Sequence, residues 1–261
     1  AMNGMLNIAV KAAREAGIIM MRSINRLESI RIKEKGINNY VSSVDLNVES
    51  FLIDYIQRFF PDHAVLSEEV GAIGDNEYTW IIDPIDGTSN YLHSYPHFAV
   101  SIAIRYEDTI EHGVVYNPFR QELFVASRGN GSTLNDQKIR VSKTLKLSNA
   151  LLSMAFHCQT GRDLSGSQLL KVQTLLNNVS GIRTSGSAAL DLCYVASGRT
   201  DAFWENNLKP WDVAAAGLIL EEAGGLISDL DETQNYIYSG SLVSGNPKIY
   251  EQLISLLRKI G

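Results

Sequence analysis

The sequence has few of the features that mark secreted, membrane-spanning or nucleic-acid-binding proteins. Its 261 residues include two cysteines, Cys158 and Cys193, which form no C-x-x-C pair, so we expect free thiols and a cytoplasmic protein. None of the five histidines is paired at i, i+4 within a helix-like stretch, which argues against a zinc site. There is no apolar run of about eighteen residues and no signal-peptide pattern at the start, so no membrane association is expected. The formal net charge of -6 gives no direct sign of a nucleic-acid interface.

The composition is that of an ordinary globular protein, with 45% hydrophobic and 20% charged residues. The length allows one large domain or two closely packed halves with a sizeable core. An antiparallel meander dominates before residue 149, whereas strands alternate with helices after it. We therefore predict one compact unit made of an α+β half, residues 1–149, and an α/β half, residues 150–261.

Apolar periodicity predicts the individual elements. Helices are predicted over 7–22, 46–60, 164–176, 187–196, 211–223 and 247–260. Strands are predicted over 29–35, 64–66, 78–82, 98–105, 109–116, 121–127, 132–134, 150–156, 182–184, 200–204, 226–228 and 242–244. Residues 71–77 are predicted to form a surface loop.

The stretch W-I-I-D-P-I-D-G-T-S-N, which begins at residue 80, is central to the functional interpretation. Pro84 favours an extended conformation for Asp83, because proline disfavours helical backbone in the residue before it. Gly87 then permits a sharp turn. The carboxylates of Asp83 and Asp86 and the carbonyl oxygen of Ile85 can then converge, and Mg²⁺ prefers oxygen ligands of this kind. A D-x-x-D pair considered alone is more often a solvated surface turn.

Three further acids stand at predicted element boundaries. Asp45 directly precedes a helix, where it is well placed to be the N-cap. Asp212 lies one residue into another helix, where the helix dipole favours a carboxylate. Glu68 follows a strand, in what is otherwise a polar loop. Several acids at one place would repel one another unless cations neutralise them, but spacing alone does not establish that they meet.

Three segments together resemble the inositol monophosphatase family. They are L-S-E-E around Glu68, W-I-I-D-P-I-D-G-T-S-N-Y, and W-D-V-A-A-A-G-L-I-L-E-E-A-G-G from Trp211. They occur in the family's order and spacing, and the resemblance runs from the first helix to the last. M-L-N-I-A-V near the N-terminus and G-S-A-A-L-D-L-C-Y-V-A are most similar to the bacterial, extragenic suppressor branch. Ser67, where many members have glycine, and Ser89, where threonine is commoner, depart from the pattern without removing a ligand.

The resemblance implies an α/β (α+β) layered sandwich of alternating helix and sheet layers, the inositol monophosphatase and sugar phosphatase fold. It also implies hydrolysis of an inositol monophosphate with two or three Mg²⁺ ions per active site, inhibition by lithium, and a homodimer. The general chemistry agrees, because paired divalent ions stabilise the attacking and leaving oxygens of an in-line displacement and activate a bound water. Direct attack by water needs no nucleophilic side chain and no covalent phosphoenzyme.

Residue roles follow from the resemblance, position by position. The implied metal ligands are Glu68, Asp83, Asp86, Asp212 and the carbonyl of Ile85, and Glu68 also holds a third, weaker ion through water. The implied catalytic residues are Asp45, Thr88 and Glu68, of which Asp45 and Thr88 are the pair that orients the attacking water. The implied substrate contacts are Ile85, Asp86, Gly87, Thr88, Arg183, Gly186, Ser187, Ala188, Glu205 and Asp212.

Two alternatives stay open at this point. The same fold could act on a sugar bisphosphate or a nucleotide phosphate, although Glu205 favours a polyol because its carboxylate would accept bonds from hydroxyls and repel a second phosphate. The bacterial branch is also linked to a binding role in ribosomal RNA transcription, which implies a transcription-machinery protein as partner. The complete set of acids argues against a purely non-catalytic protein but does not exclude a second role.

Overall fold

The structure is a computed structural model that describes residues 2–24, 32–36, 39–155 and 166–260. Its helices are α1 (Met2–Ile24), α2 (Ser43–Phe59), α3 (Thr88–Leu92), α4 (Gly166–Asn178), α5 (Ala188–Ala196), α6 (Pro210–Glu222), α7 (Tyr236–Ser239) and α8 (Pro247–Lys259). Its strands are β1 (Ile32–Gly36), β2 (Asn39–Ser42), β3 (Ala64–Ser67), β4 (Gly71–Ile73), β5 (Tyr78–Asp86), β6 (Ala99–Tyr106), β7 (Thr109–Asn117), β8 (Glu122–Ser127), β9 (Ser132–Leu134), β10 (Gln137–Lys138), β11 (Leu151–Met154), β12 (Gly181–Arg183), β13 (Ala202–Asn206), β14 (Leu226–Ser228) and β15 (Ser241–Gly245).

The larger sheet has eight strands in the order β10-β9-β8-β7-β6-β5-β3-β4. Neighbouring strands are antiparallel except for the parallel pair β3–β5. Side chains alternate between its two faces, as strand geometry requires. Trp80 and Ile82 join the core beneath α1 and α2, whereas Ile81 between them joins the core that contains α5 and α6. Both faces of this sheet are therefore covered by helices.

The smaller sheet has five strands in the mixed order β12-β11-β13-β15-β14. Helices α5 and α6 contact it on one side through β13 and β14. A third core lies on its other side, where α4 and α8 contribute Leu175 and Leu253. The layers thus alternate helix, sheet, helix, sheet, helix, which confirms the predicted layered sandwich. A separate hairpin of β1 and β2 precedes α2.

Several predicted boundaries were wrong. The strand predicted over 78–82 continues to Asp86 because it keeps pairing with β6 beyond Ile82. The loop predicted over 71–77 contains β4, which pairs with β3. The short elements β2, β10, α3 and α7 were not predicted. Residues 29–31, 156, and 164–165, which belong to predicted elements, lie outside the described residues.

The division near residue 149 stays a prediction. The strands of the larger sheet all precede it and those of the smaller sheet all follow it. Helices α5 and α6 follow it as well, yet they contact strands of both sheets. One hydrophobic core accordingly contains residues from both halves, such as Ile81 and Leu218.

In the part of the chain that the structure describes, no helix combines the length and apolar character needed to cross a membrane.

Candidate active site

A bulge in β5 brings two aspartates onto one face of the larger sheet. Asp83 lies opposite Ser101 of β6, and Asp86 lies opposite Ala99, so three steps along β5 match two steps along β6. Because opposed residues share a face, the extra residue lets Asp83 and Asp86 point the same way despite their odd spacing. Within the bulge, the Ile85 amide donates a hydrogen bond to the Asp83 carboxylate at 3.0 Å. The predicted convergence of the two acids therefore arises within a strand.

The N-terminus of α2 positions Asp45, although not as its N-cap. The N-cap is Ser42, whose hydroxyl accepts from the amides of Val44 and Asp45. Asp45 lies three residues later and accepts from the Ser42 amide at 2.9 Å and from the Ser42 hydroxyl, which completes a capping box. The predicted N-cap at Asp45 is thus wrong, because the helix begins three residues before its apolar pattern. The other Asp45 oxygen accepts from the Thr88 hydroxyl at 2.8 Å.

Asp212 occupies the equivalent position of α6. The N-cap there is Lys209, and its amide donates to the Asp212 carboxylate at 2.7 Å. Helix α6 contacts β5 and β6, so its N-terminus lies over the face to which Asp83 and Asp86 point. One carboxylate oxygen from each of Asp83, Asp86 and Asp212 lies within 4.8 Å of the others.

Glu68 follows β3, which runs parallel to and beside β5. The negative charges of Glu68, Asp86, Asp212 and Asp45 all act on Asp83. The charges of all five acids predicted at element boundaries therefore interact around Asp83.

Burial and mutual repulsion both disfavour negative charge in this cluster. Burial, followed by the charges of Glu68 and Asp86, raises the pKa of Asp83 well above its usual range. Burial also raises the pKa of Asp86 to about 6, although hydrogen bonds from Ser187 and Ala189 oppose that shift. Burial and the charge of Asp86 raise the pKa of Asp212. Carboxylate oxygens held this close fit the ligand set of a hard divalent ion.

The turn after β5 is held against the second half of the chain. Gly87 has φ +92°, and a Cβ there would approach the carbonyl oxygens of His97 and Gly186 to 3.0 and 3.1 Å. The Asn90 side-chain amide donates to the carbonyls of His97 at 2.7 Å and Ser185 at 2.8 Å. Glycine is therefore required at residue 87 both by its backbone conformation and by the closeness of these loops.

Of the predicted substrate residues of the second half, Ser187 and Glu205 act on Asp86 of the same cluster. The Ser187 hydroxyl, the N-cap of α5, donates to Asp86, and the Ala189 amide donates to the same oxygen at 2.9 Å. Glu205 on β13 is buried, and its charge acts on Asp86 and Asp212. Gly186 lies in the loop between β12 and α5, and Ala188 is the first residue of α5. Arg183 is exposed at the end of β12, where its guanidinium donates to the carbonyl of Ile182 at 3.0 Å.

Sequence analysis missed several polar residues around this cluster. Buried Asp191 on α5 acts on Asp86, and its carboxylate lies 3.6 Å from Nε2 of buried His97. Burial raises the pKa of Asp191. Glu49 of α2 accepts hydrogen bonds from residues on both sides of Glu68. Asn90 could have been identified because it belongs to the motif that begins at residue 80. Glu49 and Asp191 could not, because each resembles an ordinary polar position of an amphipathic helix.

Known proteins share this architecture over nearly the whole chain. The Nus factor SuhB of Pseudomonas aeruginosa is 44% identical over 262 residues, which cover 98% of this chain and 97% of that protein. The crystal structure of extragenic suppressor protein SuhB from Bartonella henselae is 38% identical with a TM-score of 0.94, and covers 98% of this chain and 99% of that one. The inositol monophosphatase from Anabaena is 37% identical with a TM-score of 0.87, and covers 100% of this chain and 97% of that one.

The sequence profile of the inositol monophosphatase family matches residues 1–261. This match spans both sheets and every element that contributes an acid to the cluster. By sequence and by fold, the chain belongs to the inositol monophosphatase family.

Proposed function

We propose that this protein is a Mg²⁺-dependent phosphoric monoester hydrolase that converts inositol monophosphate to inositol and phosphate. The observation that carries the proposal is the cluster of Asp83, Asp86 and Asp212, whose oxygens lie within 4.8 Å of one another while their pKa values are raised. Family membership supports a phosphatase of this type.

The proposed metal ligands are Glu68, Asp83, Asp86, Asp212 and the carbonyl of Ile85. These groups offer only oxygen, which suits Mg²⁺ better than softer ions. When bound, two or three such ions supply the positive charge that activates water and stabilises a leaving alkoxide.

Asp45 and Thr88 are the proposed pair that orients the attacking water. The Thr88 hydroxyl has a single proton and two acceptors, Asp45 at 2.8 Å and the Ile85 carbonyl at 3.1 Å. Its oxygen can in turn accept a hydrogen bond from water. Burial raises the pKa of Asp45, so its carboxylate is a better proton acceptor than an exposed aspartate. Water bound by Thr88 can thus be held in a fixed direction beside a base.

The proposed substrate contacts divide into a phosphate end and an alcohol end. At the phosphate end, the amides of Gly87 and Thr88 are the proposed donors, in the turn where Gly87 has a left-handed conformation. At the alcohol end, the proposed contacts are the loop from Gly186 to Ala188 and the buried Glu205, which all come from the second half of the chain. A carboxylate at Glu205 accepts hydrogen bonds from hydroxyl groups and repels a second phosphate, which favours a polyol monophosphate over a bisphosphate.

A phosphate-release screen tests this proposal. Inositol monophosphates, sugar bisphosphates and nucleotide phosphates are each assayed with Mg²⁺, with EDTA, and with lithium at fixed Mg²⁺. We expect the largest kcat/KM for inositol monophosphate, loss of activity in EDTA, and inhibition by lithium. Full turnover in excess EDTA would contradict a metal-dependent mechanism, and preference for a bisphosphate or nucleotide would replace the substrate with one of the alternatives.

A second candidate function is binding to a protein of the transcription machinery. The name Nus factor, carried by the Pseudomonas aeruginosa relative, favours it. Capture of partners from a bacterial lysate with wild type and Asp83→Asn side by side separates the two roles. Equal capture by both proteins would support a binding role that does not need catalysis, and no captured transcription protein would count against it. We also propose a cytoplasmic homodimer, for which light scattering should give about twice the chain mass of 28.8 kDa.

A further inference from the structure

Glu49 is a buried carboxylate that belongs to none of the proposed ligand or substrate positions. It lies on α2 with 1% of its surface exposed. Placing a carboxylate in the interior is costly unless hydrogen bonds compensate for its lost hydration. The hydrogen bonds of Glu49 are therefore the feature that needs explanation.

One oxygen of Glu49 holds the chain on both sides of Glu68. The Ser67 hydroxyl donates to this oxygen, as do the amide of Glu69 at 2.9 Å and the amide of Val70 at 3.4 Å. Hydrogen bonds to an ionised acceptor are stronger than neutral ones. The residue before Glu68 and the two after it are thus tied to a single atom, which restricts where the Glu68 carboxylate can lie.

Helix α2 supplies a rigid base for this contact. Glu49 lies four residues after Asp45, so both carboxylates lie on one side of the helix, about one turn apart. The same helix buries Val48, Leu52 and Ile56 against the larger sheet. One packed helix therefore fixes both Asp45, which contacts Thr88, and the segment that carries Glu68.

We propose that Glu49 is a positioning residue that sets the Glu68 carboxylate against the acidic cluster and thereby raises the affinity for divalent ions. Glu49 acts through the backbone of Glu68 and touches neither ion nor substrate. The proposal rests on the proposed function, because Glu68 is a metal ligand only there. Partners that orient a metal ligand typically contribute about 10- to 100-fold in metal affinity.

Three variants separate positioning from charge. Glu49→Ala removes the acceptor, and we expect Mg²⁺ affinity measured by calorimetry to fall by about 10- to 100-fold. Glu49→Gln removes the charge but keeps an oxygen for the same donors, so its affinity should stay within a few-fold of wild type. Ser67→Ala removes one donor and should lower affinity by about fivefold, as one hydrogen bond of about 1 kcal/mol predicts. Asp54→Asn, an exposed change on the same helix, is the matched control and should leave affinity unchanged.

A second readout needs no metal. Hydrogen exchange at the Glu69 and Val70 amides, measured by NMR on metal-free protein, should be faster in Glu49→Ala and near wild type in Glu49→Gln. Unchanged exchange in Glu49→Ala, or equal loss of affinity in Glu49→Ala and Glu49→Gln, would overturn the positioning role.

If Glu49→Ala does not fold, Ser67→Ala provides the test. Unchanged hydrogen exchange at the Glu69 and Val70 amides together with unchanged Mg²⁺ affinity in that variant would overturn the proposal. Wild type that binds no Mg²⁺ would overturn the proposed function and this role together. Wild type that binds Mg²⁺ beside an equally competent Glu49→Ala would overturn this role alone.

Discussion

Helices α2 and α6 begin in the same way but serve the cluster differently. Asp45 and Asp212 each lie three residues after the N-cap and accept its backbone amide, at 2.9 and 2.7 Å. In α2 the N-cap Ser42 also caps through its side chain, and Asp45 is buried. In α6 the N-cap Lys209 is exposed and forms no side-chain cap, and Asp212 is partly exposed.

The two helices show that a capping carboxylate need not be only structural. A carboxylate has two oxygens, and capping by the N-cap amide occupies one of them. Asp45 directs its second oxygen to Thr88, whereas Asp212 offers an oxygen to the group formed with Asp83 and Asp86. The capping bond restricts the orientation of the whole carboxylate, so the same local motif can orient either an acceptor for a hydroxyl or a proposed metal ligand.

Asp212→Asn should give the largest effect. Asparagine can still accept from the Lys209 amide, so the helix keeps its cap, but the negative charge offered to the cation is lost. We expect kcat/KM to fall by about 10³-fold or more, as loss of several kcal/mol of charge stabilisation predicts. The melting temperature of the metal-free protein should not fall, because repulsion with Asp86 is relieved. Near-normal turnover with Mg²⁺ would remove Asp212 from the proposed ligand set.

Thr88→Ala and Asp45→Asn test the other helix. Either change disrupts the hydrogen bond that aims the Thr88 hydroxyl, and kcat should fall by about 10²- to 10⁴-fold, while Mg²⁺ affinity of Thr88→Ala stays nearly intact. Asp45→Asn can keep the cap through its amide oxygen, so its melting temperature should stay near that of wild type. Ser89→Ala, at the exposed neighbouring residue, is the control. An unchanged kcat in Asp45→Asn would limit Asp45 to a capping role.

The raised pKa of Asp86 predicts a pH-dependent stability of the metal-free protein. The pKa rises from 3.8 to about 6, so the fold favours protonated Asp86. This contribution is fully present below about pH 4 and is lost as pH rises through about 6, with an upper bound on the order of 3 kcal/mol. Relative to Asp86→Asn, metal-free wild type should therefore melt at progressively lower temperature between pH 4 and pH 7. Saturating Mg²⁺ at pH 7 should reverse the loss, and parallel profiles for the two proteins would refute the assignment.

Ser42→Ala and Lys209→Ala should give the smallest effects. Ser42→Ala removes a side-chain cap and should cost about 1 kcal/mol of unfolding free energy. Lys209→Ala removes no such bond, and the Asp212 capping bond comes from the backbone, so its cost should be close to zero. Denaturant unfolding of both variants checks this difference, and equal losses would show that the two caps are energetically alike.

The individual helices and strands could be predicted because their signals are local, whereas the layered arrangement was implied by the resemblance to the inositol monophosphatase family. Short apolar runs bounded by turn residues identify the central strands, and apolar residues at helical spacing identify α1, α2, α6 and α8. The end of β5 could not be predicted in this way, because Asp83-Pro84 resembles a turn in isolation. Pairing with β6, a contact between separate segments, extends the strand to Asp86.

The site shows the same limit. Ser42 and Asp45 have the spacing of a capping box, which could have located the start of α2. The apolar pattern begins only at Leu46, so the helix was predicted to start three residues too late. Glu49 gave no usable signal, since its partners lie 18 to 21 residues away. Ser67 was noticed only as a departure from the family pattern, and the structure supplies its partner.

The bulge in β5 has a consequence for genetic studies of this protein. It leaves Ile85 without a partner in the register with β6, and the Ile85 carbonyl instead accepts a hydrogen bond from the Thr88 hydroxyl at 3.1 Å. A substitution at Ile85 changes the side chain, which lies in the hydrophobic core, but leaves the backbone carbonyl oxygen in place. Saturation mutagenesis at residue 85 would therefore report packing defects alone. Deleting one residue between Asp83 and Asp86 would keep both carboxylates on one face but return a carbonyl to the ladder. Among mutations, a change in chain length at the bulge is therefore the one that tests what the Ile85 carbonyl contributes.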